Sequence, residues 1–277
     1  MNKAILTAII ILITVSFVFA ENRAFTNNDL NKYNDISNDD SSADQENIGE
    51  PNDSRNSFIK KENKVQELKH YAVPYSGSSR RIIIPVTFNN RVTAPMLLDT
   101  GAPGMHISYE LAEKLGIIDN RENELRVLIG GIGGNTPAIL TIIDRIDVGE
   151  AGADFIPTLV SDSISPNFEG LVGMDFMTKY SVRIDTRKRV VIFEELPEYV
   201  NMPGGHDASW WKSTFYNFSS IRSAWAGYKK RIVKQSSYTE QQREVKTFVS
   251  RQYEKANELY NRLSGYASEN SVPLEWR

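Results

Sequence analysis

The sequence predicts a mainly β fold, a closed barrel, followed by an α-helical C-terminal region. From residue 70 to residue 197, short apolar runs alternate with turn residues, a pattern typical of many short strands. In residues 206–277 the apolar residues are instead three or four positions apart, which is the period of an amphipathic helix. With 277 residues, 40% of them hydrophobic, the chain is long enough for one or two domains with cores.

The N-terminal part is predicted to be a signal peptide and a linker. Lys3 precedes a mostly apolar run, and a small-residue cleavage site ends at Ala20, so residues 1–20 resemble a secretory signal. The alternative is an uncleaved membrane anchor over residues 4–20, although this run is short for a span. Both interpretations predict an extracytoplasmic protein, periplasmic or secreted. From Glu21 to about Ser57 the chain is dominated by Asn, Asp, Ser and Glu, which predicts a disordered acidic linker. This linker extends over residues 21–69, and its last part, residues 58–69, is predicted to form a short helix.

Composition excludes several kinds of site. The chain has no cysteine, so disulfides, thiolate metal sites and a thiol nucleophile are excluded. Its three histidines, at positions 70, 106 and 206, lack a second ligand at helical or strand spacing, which argues against a metal site. We therefore expect neither a metal nor another cofactor. The acidic linker of an exported chain also argues against a nucleic-acid partner.

The β part is predicted in detail from its turn residues. Asn89-Asn90 is a tight turn between two strands, and Ser108 and Gly116 are typical of the start and end of a short helix. The strands predicted by the apolar runs cover residues 81–88, 92–98, 126–129, 138–143, 146–148, 155–160, 181–184 and 189–193.

An aspartate at the end of an apolar strand is the feature that points to chemistry. Asp99 follows Pro95-Met96-Leu97-Leu98 and begins the sequence Asp-Thr-Gly-Ala. Aspartate is depleted in strands, so its presence here indicates that the strand delivers an acid to a cleft. Asp-Thr-Gly alone is weak evidence, because it occurs by chance in about one chain in twenty of this length. Two further segments support it: glycine-rich residues 130–134 and the helix-entry segment 170–176.

In this order, the three segments resemble those of retropepsin-like aspartic proteases, and the chain is similar to bacterial secreted members of that family. The resemblance covers about residues 80–194. It implies a retropepsin-like acid-protease barrel over residues 70–197, with a catalytic loop formed by Asp99, Thr100 and Gly101. It also implies that Ala102 contacts substrate and that Asp175 is a structural carboxylate. Pro103-Gly104-Met105 departs from the small polar residues that many members carry.

The chemistry of such a site requires two carboxylates. When two acids share one proton, the charged one accepts a proton from water while the neutral one polarises the peptide carbonyl. The chain offers only one such loop, because Asp185-Thr186-Arg187 has arginine in place of glycine and reads as a surface turn. We therefore expect a homodimer with one Asp99 from each subunit on a two-fold axis. Thr100 would hold the two loops together, and Gly101 would permit their close approach.

The glycine-rich segment resembles the flap of that family, a hairpin tip that closes over substrate. The substrate-binding residues implied there are Gly130, Gly131, Ile132, Gly133 and Gly134. The alternative is a flexible loop without such a role. A peptide or protein substrate would lie extended under this tip, and its apolar preference would come from nearby side chains: Leu97, Ile107, Ile129, Ile132 and Val172.

The C-terminal region, residues 206–277, is predicted to form two helices. The first has one aromatic face from Trp211 to Ile232, and the second runs from a capping box at Thr239 to Leu263, with Gly265 at its end. Residues 272–277 are predicted to be extended. Packing within the chain is the default for such helices. A weak contact with anionic membrane surfaces is an alternative, since the region has twelve Lys or Arg against seven Asp or Glu.

The sequence thus favours an aspartic endopeptidase that hydrolyses peptide bonds through a pair of Asp99 carboxylates. The alternative is a catalytically inactive peptide-binding or scaffold protein of the cell envelope that keeps the barrel to hold extended peptides. An acid at Asp99 favours the enzyme, because a binding protein needs no carboxylate there.

Overall fold

The computed structural model describes residues 69–77, 81–118, 121–131, 134–163, 165–197, 202–233 and 239–277. The predicted signal peptide and residues 21–68 of the predicted linker lie outside these residues, as do Ile132 and Gly133. Within the described ranges, no helix is long and apolar enough to cross a membrane.

The described part of the chain contains ten strands and four α-helices. The strands are β1 (His70–Pro74), β2 (Ile83–Phe88), β3 (Val92–Leu98), β4 (Met105–Ser108), β5 (Arg126–Gly131), β6 (Gly134–Val148), β7 (Ala151–Ser161), β8 (Gly170–Val172), β9 (Tyr180–Asp185) and β10 (Val190–Glu195). The helices are α1 (Tyr109–Lys114), α2 (Met174–Met177), α3 (Ala208–Val233) and α4 (Glu240–Glu269), with short 3₁₀ turns at Pro203–Gly205 and Leu274–Trp276.

Six strands close into a barrel. The sheet order is β2-β3-β8-β4-β7-β6-β5, and β2 pairs again with β6 through Thr87 and Phe88. This second pairing closes the ring and leaves β5 as an edge strand beside β6. A separate antiparallel sheet has the order β1-β10-β9. The predicted fold class, a mainly β closed barrel followed by a helical region, is therefore confirmed.

The first hairpin shows why these residues form strands. Ile84, Val86 and Phe88 of β2 alternate inward and are fully buried, which is the period of a strand with one covered face. The chain then reverses at Asn89 and Asn90, whose φ angles are 49° and 54°. Positive φ at both positions matches the twist of a two-residue hairpin, so the predicted turn is confirmed.

Two apolar cores hold the described residues together as one compact unit. The first fills the barrel and includes Ile84, Phe88, Ile107, Val172 and Phe193. The second lies between the outer face of β5, β6 and β7 and the two long helices; its members include Leu125, Val127, Leu140, Phe155, Trp211, Trp225, Leu259 and Leu263. The C-terminal helices thus pack on each other and on the barrel, which is the packing within the chain that the sequence analysis expects.

One long strand replaces two predicted ones. Residues 138–143 and 146–148 belong to the single strand β6, because Arg145 stays in register opposite Asp154 of β7. The Arg145 guanidinium also pairs with Asp154 at 3.0 Å and with Asp147 at 2.6 Å. The polar break in the apolar pattern is therefore an ion-paired stretch of strand and not a loop.

The end of the chain differs from the prediction in two places. Helix α4 continues through Gly265 to Glu269, since Leu263 and Ala267 on either side are both buried in the second core. Residues 272–277 are not extended. A 3₁₀ turn forms there, and the Arg277 guanidinium donates to the carbonyls of Val272 and Ala267 at 2.7 and 3.2 Å.

Alanine at Gly265 should stabilise the protein. The residue lies inside α4 and a Cβ there meets nothing within 4 Å, so we expect the free energy of unfolding to rise by about 0.5–1 kcal/mol. Urea unfolding of the full chain measures this. Gly116→Ala is the matched control: its space is equally open but its φ is +68°, so the same substitution should destabilise. Equal effects at the two positions would contradict this account.

Candidate active site

Asp99 lies in the loop between β3 and β4, where three hydrogen bonds with main-chain groups of other residues fix it. Its N–H donates to the Val172 carbonyl at 3.0 Å, and its own carbonyl accepts from the Ala102 N–H at 3.2 Å. The Gly101 N–H donates to the Asp99 Oδ1 at 2.8 Å. Asp99 is half-buried, whereas Thr100 and Gly101 are exposed. The loop therefore presents one oriented carboxylate at an open surface.

The neighbours of Asp99 on the loop have different environments. A Cβ on Gly101 would lie 3.2 Å from the Asp99 Oδ1, so glycine leaves the carboxylate room for its hydrogen bond. Ala102 is buried at the base of the loop. The exposed Thr100 hydroxyl is free to face a partner, and its predicted contact across a two-fold axis stays a prediction.

A crossing of strands under the loop determines its position. β8 lies between β3 and β4, parallel to β3 and antiparallel to β4. Gly170 sits where the backbones approach most closely: a Cβ there would collide with the His106 carbonyl and lie 2.8 Å from the Ile107 Cα. Only glycine fits at this position, which explains the glycine before Leu171.

Helix α2 supports the loop from behind. The Met174 N–H donates to the Ala102 carbonyl at 2.8 Å, and the Asp175 N–H donates to the Pro103 carbonyl at 3.0 Å. Gly173 precedes them, and a Cβ there would lie 2.5 and 2.7 Å from the Gly104 O and N and would also collide with the Ala102 carbonyl. The first turn of α2 therefore serves as the base on which the catalytic loop rests.

Asp175 joins this base to the C-terminal region. Burial raises the pKa of its carboxyl to about 6, although the Lys179 charge and a hydrogen bond with the Trp210 side chain oppose the shift. Trp210, in α3, stacks on His206 with ring centroids 3.5 Å apart. The Lys179 Nζ lies 3.2 Å from the His206 Nε2. Asp175 thus has the structural position that the resemblance implied, with a partner outside the barrel.

Sequence reasoning missed the cluster of Lys179, His206 and Trp210. His206 was considered only as a metal ligand, and the other two residues carry no local signal. Their association depends on contacts between α2 and the start of α3, which neither spacing nor composition reveals.

His106 is a packed sheet residue. Its Nε2 lies 2.7 Å from the Ser161 Oγ, and burial lowers the pKa of its ring. The imidazole is therefore neutral at neutral pH. Within the described ranges, no group of three or more His, Asp or Glu residues is arranged to hold a metal ion.

The glycine-rich segment forms the tip of a β-hairpin. β5 and β6 stay paired up to Gly130 opposite Asn135 and Gly131 opposite Gly134. Ile132 and Gly133, at the turn itself, lie outside the described residues. The hairpin geometry suits a flap, but its closing over Asp99 stays a prediction.

The base of this hairpin is held by α4. The fully buried Gln252 side chain donates from Nε2 to the Glu124 carbonyl at 2.7 Å and accepts at Oε1 from the Arg126 N–H at 2.8 Å. The Lys255 ammonium also lies 3.4 Å from the Glu124 carboxylate. The C-terminal helix therefore fixes the root of the hairpin that carries Gly130 and Gly131.

The sequence analysis was wrong about two of the residues that it expected to set the substrate preference. Ile107 and Val172 are 1% and 0% exposed and belong to the barrel core, because alternate residues of β4 and β8 face inward. They do not line an open cleft. Leu97 is half-buried, and Ile129 packs against the second core beside the helices.

Comparisons with known proteins find similarity in this same region of the chain. Residues 84–176 match the model of the aspartyl protease family, a segment that includes the whole Asp99 loop and Asp175. Protein DNA-DAMAGE INDUCIBLE 1 of Arabidopsis thaliana is 29% identical over 118 residues, which are 42% of this chain. The chain spans 27% of the length of that curated relative.

Two crystal structures are similar to part of the chain. One is a retropepsin-like aspartic protease from Rickettsia conorii, with a TM-score of 0.35 and 20% identity over 47% of this chain and 92% of that one. The other is the retroviral protease-like domain of Ddi1 from Leishmania major, with a TM-score of 0.29 and 18% identity over 43% of this chain and 95% of that one.

Alanine at Gly173 should be poorly tolerated. The added Cβ meets the backbone of the catalytic loop, which cannot move aside without breaking the hydrogen bonds to α2. We expect a loss of about 2–3 kcal/mol in the free energy of unfolding, measured by urea denaturation. Gly227→Ala in α3 is the control, since a Cβ there meets nothing within 4 Å. A Gly173→Ala protein as stable as Gly227→Ala would refute the close approach.

Asp175 should make stability depend on pH between about 4 and 6. Its folded pKa of about 6 lies above the ordinary value of 3.8, so in this window the native state binds more protons than the unfolded state. The free energy of unfolding should therefore fall as pH rises, by up to about 3 kcal/mol, and level off above pH 6.

Replacing the carboxyl should remove this slope. Asp175→Asn keeps the size of the side chain, and urea unfolding at several pH values would give a flatter profile than wild type. Asp162→Asn changes an exposed aspartate and should keep the wild-type slope. An unchanged slope in Asp175→Asn would assign the pH dependence to another group.

Proposed function

We propose that this chain, whose residues 84–176 match the aspartyl protease family, is an aspartic endopeptidase that acts as a homodimer with one Asp99 from each subunit. The observation that carries the proposal is the loop after β3. There an exposed Asp-Thr-Gly turn holds the Asp99 carboxylate by the Gly101 N–H, and α2 supports it from behind. The loop also lies within the segment that matches the aspartyl protease family, which supports a catalytic role for this carboxylate.

In the proposed reaction, the two Asp99 carboxylates share one proton and bind the attacking water between them. The ionised carboxylate accepts a proton from the water while the protonated one donates towards the peptide carbonyl, and the pair titrates jointly. The Gly101 N–H on the Asp99 Oδ1 fixes the plane of each carboxylate, so little reorientation accompanies proton transfer.

The second acid has to come from another copy, because the other candidates in this chain have different roles. The Asp185 Oδ1 accepts from the N–H groups of Arg187 and Lys188 at 3.0 and 2.9 Å, which makes it a turn residue. Asp175 lies behind the loop and bonds with Trp210. Asp99 is therefore the one candidate carboxylate that lies in an Asp-Thr-Gly loop of the described residues, and an isologous dimer would double it.

The substrate in this proposal is a peptide or protein in extended form, bound between the catalytic loops and the β5–β6 hairpins. Extended peptides are recognised through their main-chain hydrogen bonds, and glycines at Gly130, Gly131 and Gly134 leave the hairpin backbone accessible for them. Export through residues 1–20 would place this activity outside the cytoplasm.

Asp99→Asn tests the catalytic role. Asparagine keeps the size and the Gly101 hydrogen bond but cannot act as a base, so we expect peptide cleavage at acid to mildly acidic pH to fall by at least about 10³-fold. Cleavage of a peptide library by the wild type should also be blocked by a statine-type transition-state analogue. Asp185→Asn is the matched control and should keep its activity. Persistent cleavage by Asp99→Asn would rule out the assignment.

A mixing experiment tests the shared site. If one catalytic pair needs two subunits, a threefold excess of Asp99→Asn chains should lower the activity per wild-type chain to about a quarter, because most wild-type chains then sit in mixed dimers. Wild-type chains mixed with the same excess of Asp185→Asn should lose nothing. Activity that is unaffected by the inactive chains would show a site complete within one chain.

The same measurements separate the enzyme from the scaffold alternative. A wild-type dimer that binds extended peptides but cleaves none across a pH series would contradict the endopeptidase and support a peptide-binding protein.

A further inference from the structure

A cavity that is separate from the Asp99 loop lies between the barrel and the C-terminal region. It has a volume of about 320 Å³, and its walls include Asp154 of β7, Lys179, Tyr180 of β9, Glu195 of β10, and Tyr266 and Asn270 at the end of α4. Residues 99–104 do not line it. Its volume is that of a small-molecule site, and the proposed protease chemistry does not use it.

The cavity contains a buried amine without an acidic partner. Lys179 is 9% exposed, and among the described residues no carboxylate lies within 4 Å of its Nζ. Its hydrogen bond is to the His206 Nε2 at 3.2 Å. Burial lowers the pKa of Lys179 to about 8 and holds the pKa of His206 well below its ordinary value. At neutral pH a mostly charged ammonium therefore contacts a neutral ring.

The acids around this amine are already engaged elsewhere. The Asp154 carboxylate pairs with the Arg145 guanidinium at 3.0 Å, and the Glu195 Oε1 accepts from the Tyr71 hydroxyl at 2.9 Å. Asp175, one helical turn before Lys179, bonds with the Trp210 side chain, and its raised pKa of about 6 keeps it partly protonated in mildly acidic solution. Asp154 and Asp175 attract the Lys179 ammonium electrostatically. The contact with His206 uses one of the three N–H groups of the ammonium, which leaves N–H groups that can donate to a ligand.

We propose that this cavity binds a small molecule through a single carboxylate, which accepts hydrogen bonds from the Lys179 ammonium. A monoanion fits better than a phosphate, because Asp154 and Glu195 also line the cavity and would repel a doubly charged ligand more strongly than a singly charged one. The rest of the ligand would be apolar, since the rings of Tyr180 and Tyr266 border the space. Tyr266 stacks on Phe155 with centroids 4.6 Å apart, which makes that wall rigid.

The ligand class is thus an α-carboxylate with an apolar side chain, as in the C-terminal residue of a peptide. Pairing with a carboxylate favours the charged form of Lys179. Binding should therefore be accompanied by proton uptake near pH 8 and should weaken as pH rises above that value. The proposal does not depend on Asp99 or on a dimer, so the two assignments succeed or fail separately.

Titration calorimetry of the full chain with N-acetyl-leucine tests the site. We expect a dissociation constant below about 1 mM at pH 7, at least tenfold tighter than that of N-acetyl-leucinamide, which lacks only the charge. At pH 8.5, buffers of different ionisation enthalpy should report proton uptake. No binding of the acid, equal binding of acid and amide, or tighter binding of inorganic phosphate would each overturn the proposal.

Variants assign the binding to the amine. Lys179→Gln should weaken the binding of N-acetyl-leucine at least tenfold and remove the proton uptake. Lys188→Gln, at the exposed β9–β10 turn, should leave both the binding and the proton uptake unchanged. Unchanged binding by Lys179→Gln would overturn the proposal. Should this variant fail to fold, the comparison of acid and amide on the wild-type chain still decides.

Discussion

The close approach of the Gly170–Gly173 segment to the loop after β3 is the contact on which the rest of the structure depends. Neither glycine has room for a Cβ, and the loop is held almost wholly through backbone atoms. This explains why Pro103 and Gly104 are accommodated at positions where many retropepsin-like aspartic proteases carry small polar residues. Pro103 contributes only its carbonyl, and Gly104 leaves space for the Asp175 Oδ2, which would lie 3.0 Å from a Cβ there. The position of Asp99 is thus determined mainly by main-chain hydrogen bonds.

The C-terminal helices belong to the same structural unit as the barrel. They share the second core with β5, β6 and β7, and they contact the machinery of the loop and of the hairpin at separate points. Trp210 bonds with Asp175 behind the loop, and Gln252 bonds with the root of the hairpin. Lys179, which contacts His206 just before α3, is also buried; burial disfavours its charge, whereas the carboxylates of Asp154 and Asp175 favour it. The Asp99 loop support, the hairpin and the cavity therefore all contact the same helical pair.

Local features were predictable from sequence, and long-range ones were not. The Asn89-Asn90 turn, the Ser108 cap and the Thr239 capping box depend on a few adjacent residues, and the structure has all three. The prediction failed where tertiary contacts override a local signal: Gly265 stays helical because its neighbours are buried, and the polar residues at 144–145 stay in a strand because Asp154 pairs with Arg145. Asp99 was recognisable from its strand, turn and glycine. The inward direction of Ile107 and Val172 requires the barrel register, which no local pattern reveals.

The buried amide of Gln252 has a further consequence for β5. It donates to the carbonyl of Glu124 and accepts from the N–H of Arg126, as the backbone of a neighbouring strand would. An edge strand exposes unpaired groups to which a foreign strand can add, and a side-chain amide that satisfies them closes that stretch to edge-to-edge aggregation. The same anchorage confines any bending of the hairpin to the residues beyond it. As the flap proposed above, the hairpin would have only a short moving part, and ordering it on contact with a ligand would cost little conformational entropy.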